Sequence, residues 1–312
     1  MNNQAEKTKA IQADFNEFLE TLAARVDRLP PVKLSIQTKN IKGKERATLA
    51  IQFGDPHAGN EPTGVLKRRI NNYIKDIIIF VKKTTLIYQY DEVIVNVLGD
   101  LVEGEEIYQG QRYEILYNLW EQITISSEFF NFFIRELRTF FPSDTPIKVK
   151  VIPGNHGRFN LEKHSKTINA DIIAMTISKA YCESNFKNVE FEITTDELLT
   201  YKMKGNTILI THGGGKNKLL IPAQDLTPAA QSKLLRLIMT TNADAIICGH
   251  GHNQKILRLQ NTPIYINGRF GAITSLEKDR LSFNTRSTQF LLVVPESGLE
   301  CGIYHTVQIK TS

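Results

Sequence analysis

Val93-Ile-Val-Asn-Val-Leu-Gly-Asp100 sets an aspartate just past the end of an apolar, β-favouring run, and the same arrangement recurs on both sides of it. Upstream, Arg46-Ala-Thr-Leu-Ala-Ile-Gln-Phe53 leads into Asp55-Pro56-His57, whose two polar side chains stand two residues apart and can face the same way. Downstream, Val149-Lys-Val-Ile152 leads to Pro153-Gly154-Asn155-His156, Thr207-Ile-Leu-Ile210 to His212, and Ala245-Ile-Ile-Cys248 to Gly249-His250-Gly251-His252. Five of the seven histidines lie in these blocks. Any one block reads as an ordinary polar loop. Five in succession read as a site, because the ligand-binding edge of an open α/β sheet lies at the carboxyl ends of its strands. Neutral imidazole and carboxylate are the usual ligands of zinc, manganese and iron, so the pattern points to a two-metal hydrolytic centre.

The ordered blocks D-x-H, G-D, G-N-H, H and G-H-x-H, spread over about residues 47 to 270, resemble those of the calcineurin-like metallophosphoesterase superfamily. The resemblance implies one metal held by Asp55, His57, Asp100 and His252 and a second held by Asp100, Asn155, His212 and His250, with Asp100 shared. It also implies a water or hydroxide between the metals as nucleophile, and it gives His156 the catalytic role of stabilising or protonating the leaving oxygen. Two divalent ions roughly 3.5–4 Å apart acidify a bridging water and stabilise an in-line displacement at phosphorus. General acid catalysis contributes about 10²–10⁴ in rate. The ligand set favours a borderline ion, with Mn²⁺ first and Fe, Zn and Mg as alternatives.

Two departures from the family pattern bear on His156. Many members carry Asp directly after G-N-H, where it helps orient the histidine, whereas this chain has Gly157. Three residues after Asp100 stands Glu103, and either Glu103 or a backbone carbonyl is expected to orient His156 instead. Arg158, two residues beyond His156, is the better placed cation for a phosphate contact because a guanidinium can grip phosphate bidentately. Lys163, His164 and Lys166 extend that basic stretch, while Lys67 and Arg68 read as a solvated helix face. His212-Gly213-Gly214-Gly215-Lys216 lacks the spacing of a P-loop. Its glycines are read as giving His212 room, with Gly213 beside the ligand and Lys216 in reach of phosphate.

The run Gly99-Asp-Leu-Val-Glu-Gly-Glu-Glu-Ile-Tyr-Gln-Gly-Gln111 resembles the matching segment of the exonuclease-bearing small subunit of archaeal family D DNA polymerases, and the whole arrangement is similar to bacterial and phage repair-type nucleases. It implies a DNA or other nucleic-acid phosphodiester as substrate, with Tyr108, Gln109 and Gln111 as candidate rim contacts. A small-substrate phosphatase, or a cyclic-nucleotide phosphodiesterase, is the alternative enzyme reading. A non-catalytic binding subunit is the reading from another class. Composition permits a polyanionic partner without demanding one: 38 basic against 33 acidic residues give +5 over 312 residues.

No apolar run approaches the ~20 residues of a membrane span, and the N-terminus lacks the apolar core of a secretory signal. Three cysteines without C-x-x-C spacing suggest neither a disulfide framework nor a zinc knuckle, so a cytoplasmic setting and no membrane partner are expected. Helical periodicity covers Val65 to about Lys83, Tyr113 to about Phe140, Asp171 to Glu183 and Ala229 to Thr241. Short β segments follow at Lys255–Leu259, Thr262–Ile266, Gln289–Val294 and Gly302–Ile309. This α/β progression fits the four-layered α/β/β/α sandwich that the resemblance implies, over residues 31–312.

Residues 1–30 stand apart as an amphipathic helix. Ile11, Phe15, Phe18, Leu22, Val26 and Leu29 form one apolar stripe, ended by Pro30-Pro31. So short a helix needs a partner surface, either its own domain or a second copy in a homo-oligomer.

Overall fold

Alternate side chains of one central strand feed two different cores, and that alternation builds the layers. In β1 (Glu45–Phe53), Leu49 and Ile51 are buried among helices, whereas Ala50 joins an apolar cluster on the opposite face. The adjacent β2 (Tyr88–Val97) and the late β10 (Thr288–Pro295) repeat the pattern, with Val93, Val95, Leu291 and Val293 on one side and Ile94, Leu292 and Val294 on the other. A strand buried on both faces reads as a continuous apolar run, as these do.

The computed structural model describes residues 2–32, 43–159, 168–214, 228–272 and 287–310. The remaining elements are α1 (Asn2–Asp27), α2 (Thr63–Thr84), α3 (Leu119–Phe140), β3 (Ile147–Val151), α4 (Ala170–Asn185), β4 (Val189–Ile193), β5 (Leu198–Met203), β6 (Asn206–Thr211), α5 (Pro228–Thr241), β7 (Ala245–Cys248), β8 (Lys255–Leu259), β9 (Thr262–Ile266) and β11 (Ile303–Gln308). One sheet runs β11-β10-β1-β2-β3-β4 and the other β5-β6-β7-β9-β8. Strands β1 to β4 pair in parallel, as do β6, β7 and β9.

Between the sheets lie Ile94, Leu98, Ile152, Ile208, Ile210, Ile247 and Phe290. The outer face of the first sheet is covered by α1 to α4, and that of the second by α5 through Leu234 against Leu209, Ile246 and Cys248. The result is the four-layered α/β/β/α sandwich. Phe130, Phe132 and Phe133 are wholly inside it.

The helix expected from Tyr113 begins at Leu119 instead. Asn118 caps it: its side chain accepts from Glu121 N at 3.0 Å, and the Glu121 carboxylate accepts from Asn118 N at 2.8 Å. This reciprocal capping box satisfies two orphan amides and stops the helix from extending backward. Residues 103–118 form a loop, and within it Leu116 is half exposed and not a core position.

Leu22, Val26 and Leu29 of the N-terminal segment are buried with the helices of the first sheet. Arg135 of α3 closes the end of α1, donating from Nη1 to Val26 O at 2.6 Å and from Nη2 to Leu29 O at 2.9 Å. Residues 12–17, Phe15 among them, are exposed.

Candidate metal centre

The parallel strands deliver their loops side by side. Asp55 N donates to Gly99 O (3.1 Å), His57 N to Asp100 O (3.1 Å) and Ala58 N to Leu101 O (2.9 Å), so the loops after β1 and β2 continue the pairing beyond the strands. Gly154 brings the loop after β3 against Asp100 so closely that a Cβ there would lie 2.0 Å from Asp100 N. His156 N then donates to Asp100 Oδ1 at 2.7 Å. Gly214, beside His212, leaves the room that Asn155 and His250 occupy, since a Cβ at 214 would lie 2.5 Å from Asn155 Oδ1.

Two imidazoles are oriented by main-chain carbonyls behind them, and a third, His57, by an ion-pair contact. His57 Nδ1 lies 2.8 Å from Glu103 Oε2, His156 Nδ1 lies 2.8 Å from Glu103 O, and His212 Nδ1 lies 2.7 Å from Leu98 O. An oxygen can only accept, so each Nδ1 carries a proton and each Nε2 is turned toward the centre, the orientation that presets an imidazole for a metal. His156 is thus held by the main-chain carbonyl of Glu103, with the Glu103 carboxylate 3.6 Å away. Gly157 has no space for the aspartate that many relatives carry, because a Cβ there would lie 2.3 Å from Asn169 Oδ1.

The inward nitrogens meet one another and the oxygens of Asn155 and Asp100. His57 Nε2 lies 3.1 Å from His252 Nε2. His212 Nε2 faces Asn155 Oδ1 at 2.9 Å and Asp100 Oδ2 at 3.0 Å. Asp100 Oδ2 is buried and without a well-formed hydrogen bond. Lone pairs so arranged need a cation among them, a proton or a metal ion. Two clusters of close donors follow: Asp55, His57 and His252, and Asp100, His212 and His250. Asn155 borders the second through His212. A third close set, His57, Asp100 and His156, brings His156 to the same centre. These residues fit a pair of divalent cations.

Charge is distributed to match. Burial opposes ionisation of Asp100, yet the facing His212 and His156 hold its carboxyl well below the usual range. Burial likewise opposes charge on His212, but the Asp100 carboxylate overrides it and lifts the imidazole to about 9. Burial and the neighbouring His212 push His250 down to about 3, and burial lowers His156. A histidine lifted so far marks a place that attracts positive charge.

Five non-glycine residues of the centre adopt left-handed backbone: Asp55 (φ 57°), His57 (47°), Asp100 (50°), His250 (61°) and His252 (49°). This region costs L-residues of order 1–3 kcal/mol each and is tolerated where surrounding structure imposes it. No spacing rule exposes it in advance.

A family match settles the affiliation: the calcineurin-like phosphoesterase profile matches residues 50–254. The chain belongs to that family. Phosphoesterases of this family use divalent metals, and the donor clusters supply places for them. Similar solved structures include an archaeal phosphodiesterase (13% identity, 83% of this chain and 99% of that one, TM-score 0.37). A hypothetical protein from Pyrococcus horikoshii (10%, 84% and 89%, TM-score 0.43) and the Escherichia coli phosphoesterase Yfce (12%, 84% and 100%, TM-score 0.36) are also similar. At such identities, and with TM-scores below 0.5, these likenesses decide nothing about substrate. No curated protein matches. Among the described residues, no helix of this phosphoesterase is long and apolar enough to cross a membrane.

Two expected residues of the site turn out to be buried supports, and a third support, Asp171, carries no motif signal. Glu103 is wholly buried and supports both His57 and His156, so it serves as a support and not a surface acid. Gln111, expected at the rim, is also buried, and donates to Glu103 Oε1 and Glu103 O at 2.8 Å each. Asp171 accepts backbone amides from the loops after β2 and β3. Buried polar partners behind a motif leave no periodic trace in sequence. Arg158 Nε donates to Asn155 O at 2.6 Å, which ties the guanidinium to the loop that holds Asn155. Lys163, His164, Lys166 and Lys216 lie outside the described residues.

Proposed function

We propose that this phosphoesterase is a dinuclear, metal-dependent phosphodiesterase that cleaves nucleic acid, a DNA nuclease using Mn²⁺. The observation that carries the metal reading is the convergence of imidazole nitrogens and carboxylate oxygens, His57 on His252 at 3.1 Å and His212 on Asp100 at 3.0 Å, which needs a cation, a proton or a metal ion, among them. Asp55, His57, Asp100 and His252 would hold one ion, and Asp100, Asn155, His212 and His250 the other. Bound there, two divalent ions supply Lewis acidity toward the phosphoryl oxygens and lower the pKa of a water.

The chain's own groups do the rest. His156, with Nδ1–H committed to the Glu103 carbonyl, keeps Nε2 for proton exchange. Burial leaves the ring neutral at pH 7, so an incoming phosphate anion is what raises its basicity and lets it pass a proton to the leaving oxygen. Arg158 adds a cation beside Asn155.

A polynucleotide is favoured over a small ester by the rim. Leu116 N donates to Gly59 O at 2.8 Å, which pins the 103–118 loop beside the His57 loop, and that loop carries Tyr113 at 95% exposure. Phe159, three residues after His156, is half exposed, and Trp120 stands out at the start of α3. Tyr113 and Phe159 are exposed rings on two loops that pack together at Gly104 and His156, and such rings suit unpaired bases.

The test presents purified protein and Mn²⁺ with single- and double-stranded DNA, a cyclic dinucleotide, and monoester and diester model substrates. Polynucleotide cleavage is expected. Hydrolysis confined to monoesters or to the cyclic dinucleotide would replace the nuclease reading by the phosphatase or cyclic-nucleotide one.

A further inference from the structure

Asp171, in the first turn of α4, is a carboxylate near the centre that accepts four hydrogen bonds, none of them from a side chain. Its Oδ2 accepts Asp100 N at 2.9 Å and Gly154 N at 2.9 Å; its Oδ1 accepts Leu101 N at 2.9 Å and Val102 N at 3.2 Å. It is wholly buried. Asn169 holds it from behind, accepting Asp171 N at 2.8 Å and donating to Gly154 O at 3.0 Å.

The geometry explains why a carboxylate is needed at this point. Asp100 and Gly99 both have positive φ, and such backbone turns successive amides to one side, forming a concavity that attracts an anion. In this fold the anion is internal. One carboxylate spans the loop that bears Asp100 and the loop that bears Asn155 and His156, at the point where Gly154 packs against Asp100.

We infer that Asp171 is a positioning residue: its carboxylate fixes the shared ligand Asp100 against the Gly154–His156 loop, and so sets the spacing of the two donor clusters. The inference rests on the reading of those clusters as metal sites. Groups behind the ligands are typically worth 10–100-fold in metal affinity or activity. Asp171→Asn keeps the shape but puts an amide donor against backbone donors, so two of the four bonds are lost.

Two readouts separate positioning from general stability. The first is the exchange protection of the His156 amide, which is bonded to Asp100 Oδ1 at 2.7 Å and reports the place of Asp100 with or without metal. The second is Mn²⁺ affinity by calorimetry. Met175→Ala, in the core on the same helix and away from these bonds, is the control for lost stability.

Asp171→Asn is expected to lower His156 protection at least tenfold and to weaken Mn²⁺ binding about 10–100-fold, while Met175→Ala changes neither beyond its effect on melting. Unchanged His156 protection in Asp171→Asn, or an equal change in Met175→Ala, overturns the inference. If Asp171→Asn does not fold, Asn169→Ala decides by the same two readouts, with a partial loss expected and no loss overturning. If the wild type takes up no divalent metal, the proposed function fails, and the His156 amide still judges Asp171.

Discussion

His156 and Asp100 sit side by side in the centre and should fail differently. His156→Ala removes a proton-transfer group and no proposed ligand, so Mn²⁺ binding should persist while turnover falls about 10²–10⁴. Asp100→Asn removes the carboxylate proposed to serve both ions, so calorimetry should show metal binding lost. Full activity of His156→Ala would remove it from the chemistry. Gly157 offers a second test. Restoring the aspartate of many relatives by Gly157→Asp should lower the melting temperature without raising turnover, because Asn169 already fills the space 2.3 Å from the new Cβ. At this scale the donors were legible in sequence because each needs a particular side chain at a strand tip. Their supports were legible only in part: a carbonyl behind His156 was among the expected alternatives, but Asp171 was not. His156 is oriented by a carbonyl, which every residue has, and Asp171 acts on amides, which nearly every residue has. Gln111 looked like a surface residue because its burial depends on a loop that no periodicity describes.

At the level of elements, α1 has two halves with different surroundings. Leu22, Val26 and Leu29 are inside the core, so Leu22→Ala should cost about 2–5 kcal/mol in a denaturant melt. Phe15, further out, is exposed. Deleting residues 1–29 should therefore lower stability, and solution mass decides the association reading: an unchanged mass would show that the helix serves only its own chain. A second contact lies at the far edge of the first sheet, where His305 of β11 stacks on Phe80 of α2 at 4.8 Å. Burial and the Lys83 cation lower its pKa, against the pull of Asp76. A folded pKa below 6.5 means that the unfolded chain binds the proton more readily. This contribution is accordingly present above about pH 6.5 and lost as pH falls through the folded value. Proton NMR should place the His305 titration below 6.5, and His305→Phe should remove that part of the acid sensitivity. The apolar runs gave β1, β2, β10 and the helices behind them. The start of α3 escaped, because Leu116 fits the helical period while the Asn118–Glu121 cap overrules it. Strands β4 and β5 carry little signal in the sequence, being short edge strands with polar alternation.

Across the whole molecule, two sheets meet at the candidate metal centre: Asp55, Asp100 and Asn155 follow strands of the first, His212 and His250 strands of the second. An ion held by both would couple them. Saturating Mn²⁺ should raise the melting temperature, by about 2.7 kcal/mol of stability at a hundred times its Kd, and chelation should reverse the gain. A melt insensitive to both would count against a centre that joins the layers. The layered architecture was legible because period-two burial on both faces of β1 demands cover on each side. The left-handed backbone at five of the donors was not, and it bears on how the centre can be altered. At each of the five positions glycine would relieve the backbone but remove a side chain, so donor atoms are held there against the conformational preference of their own residues.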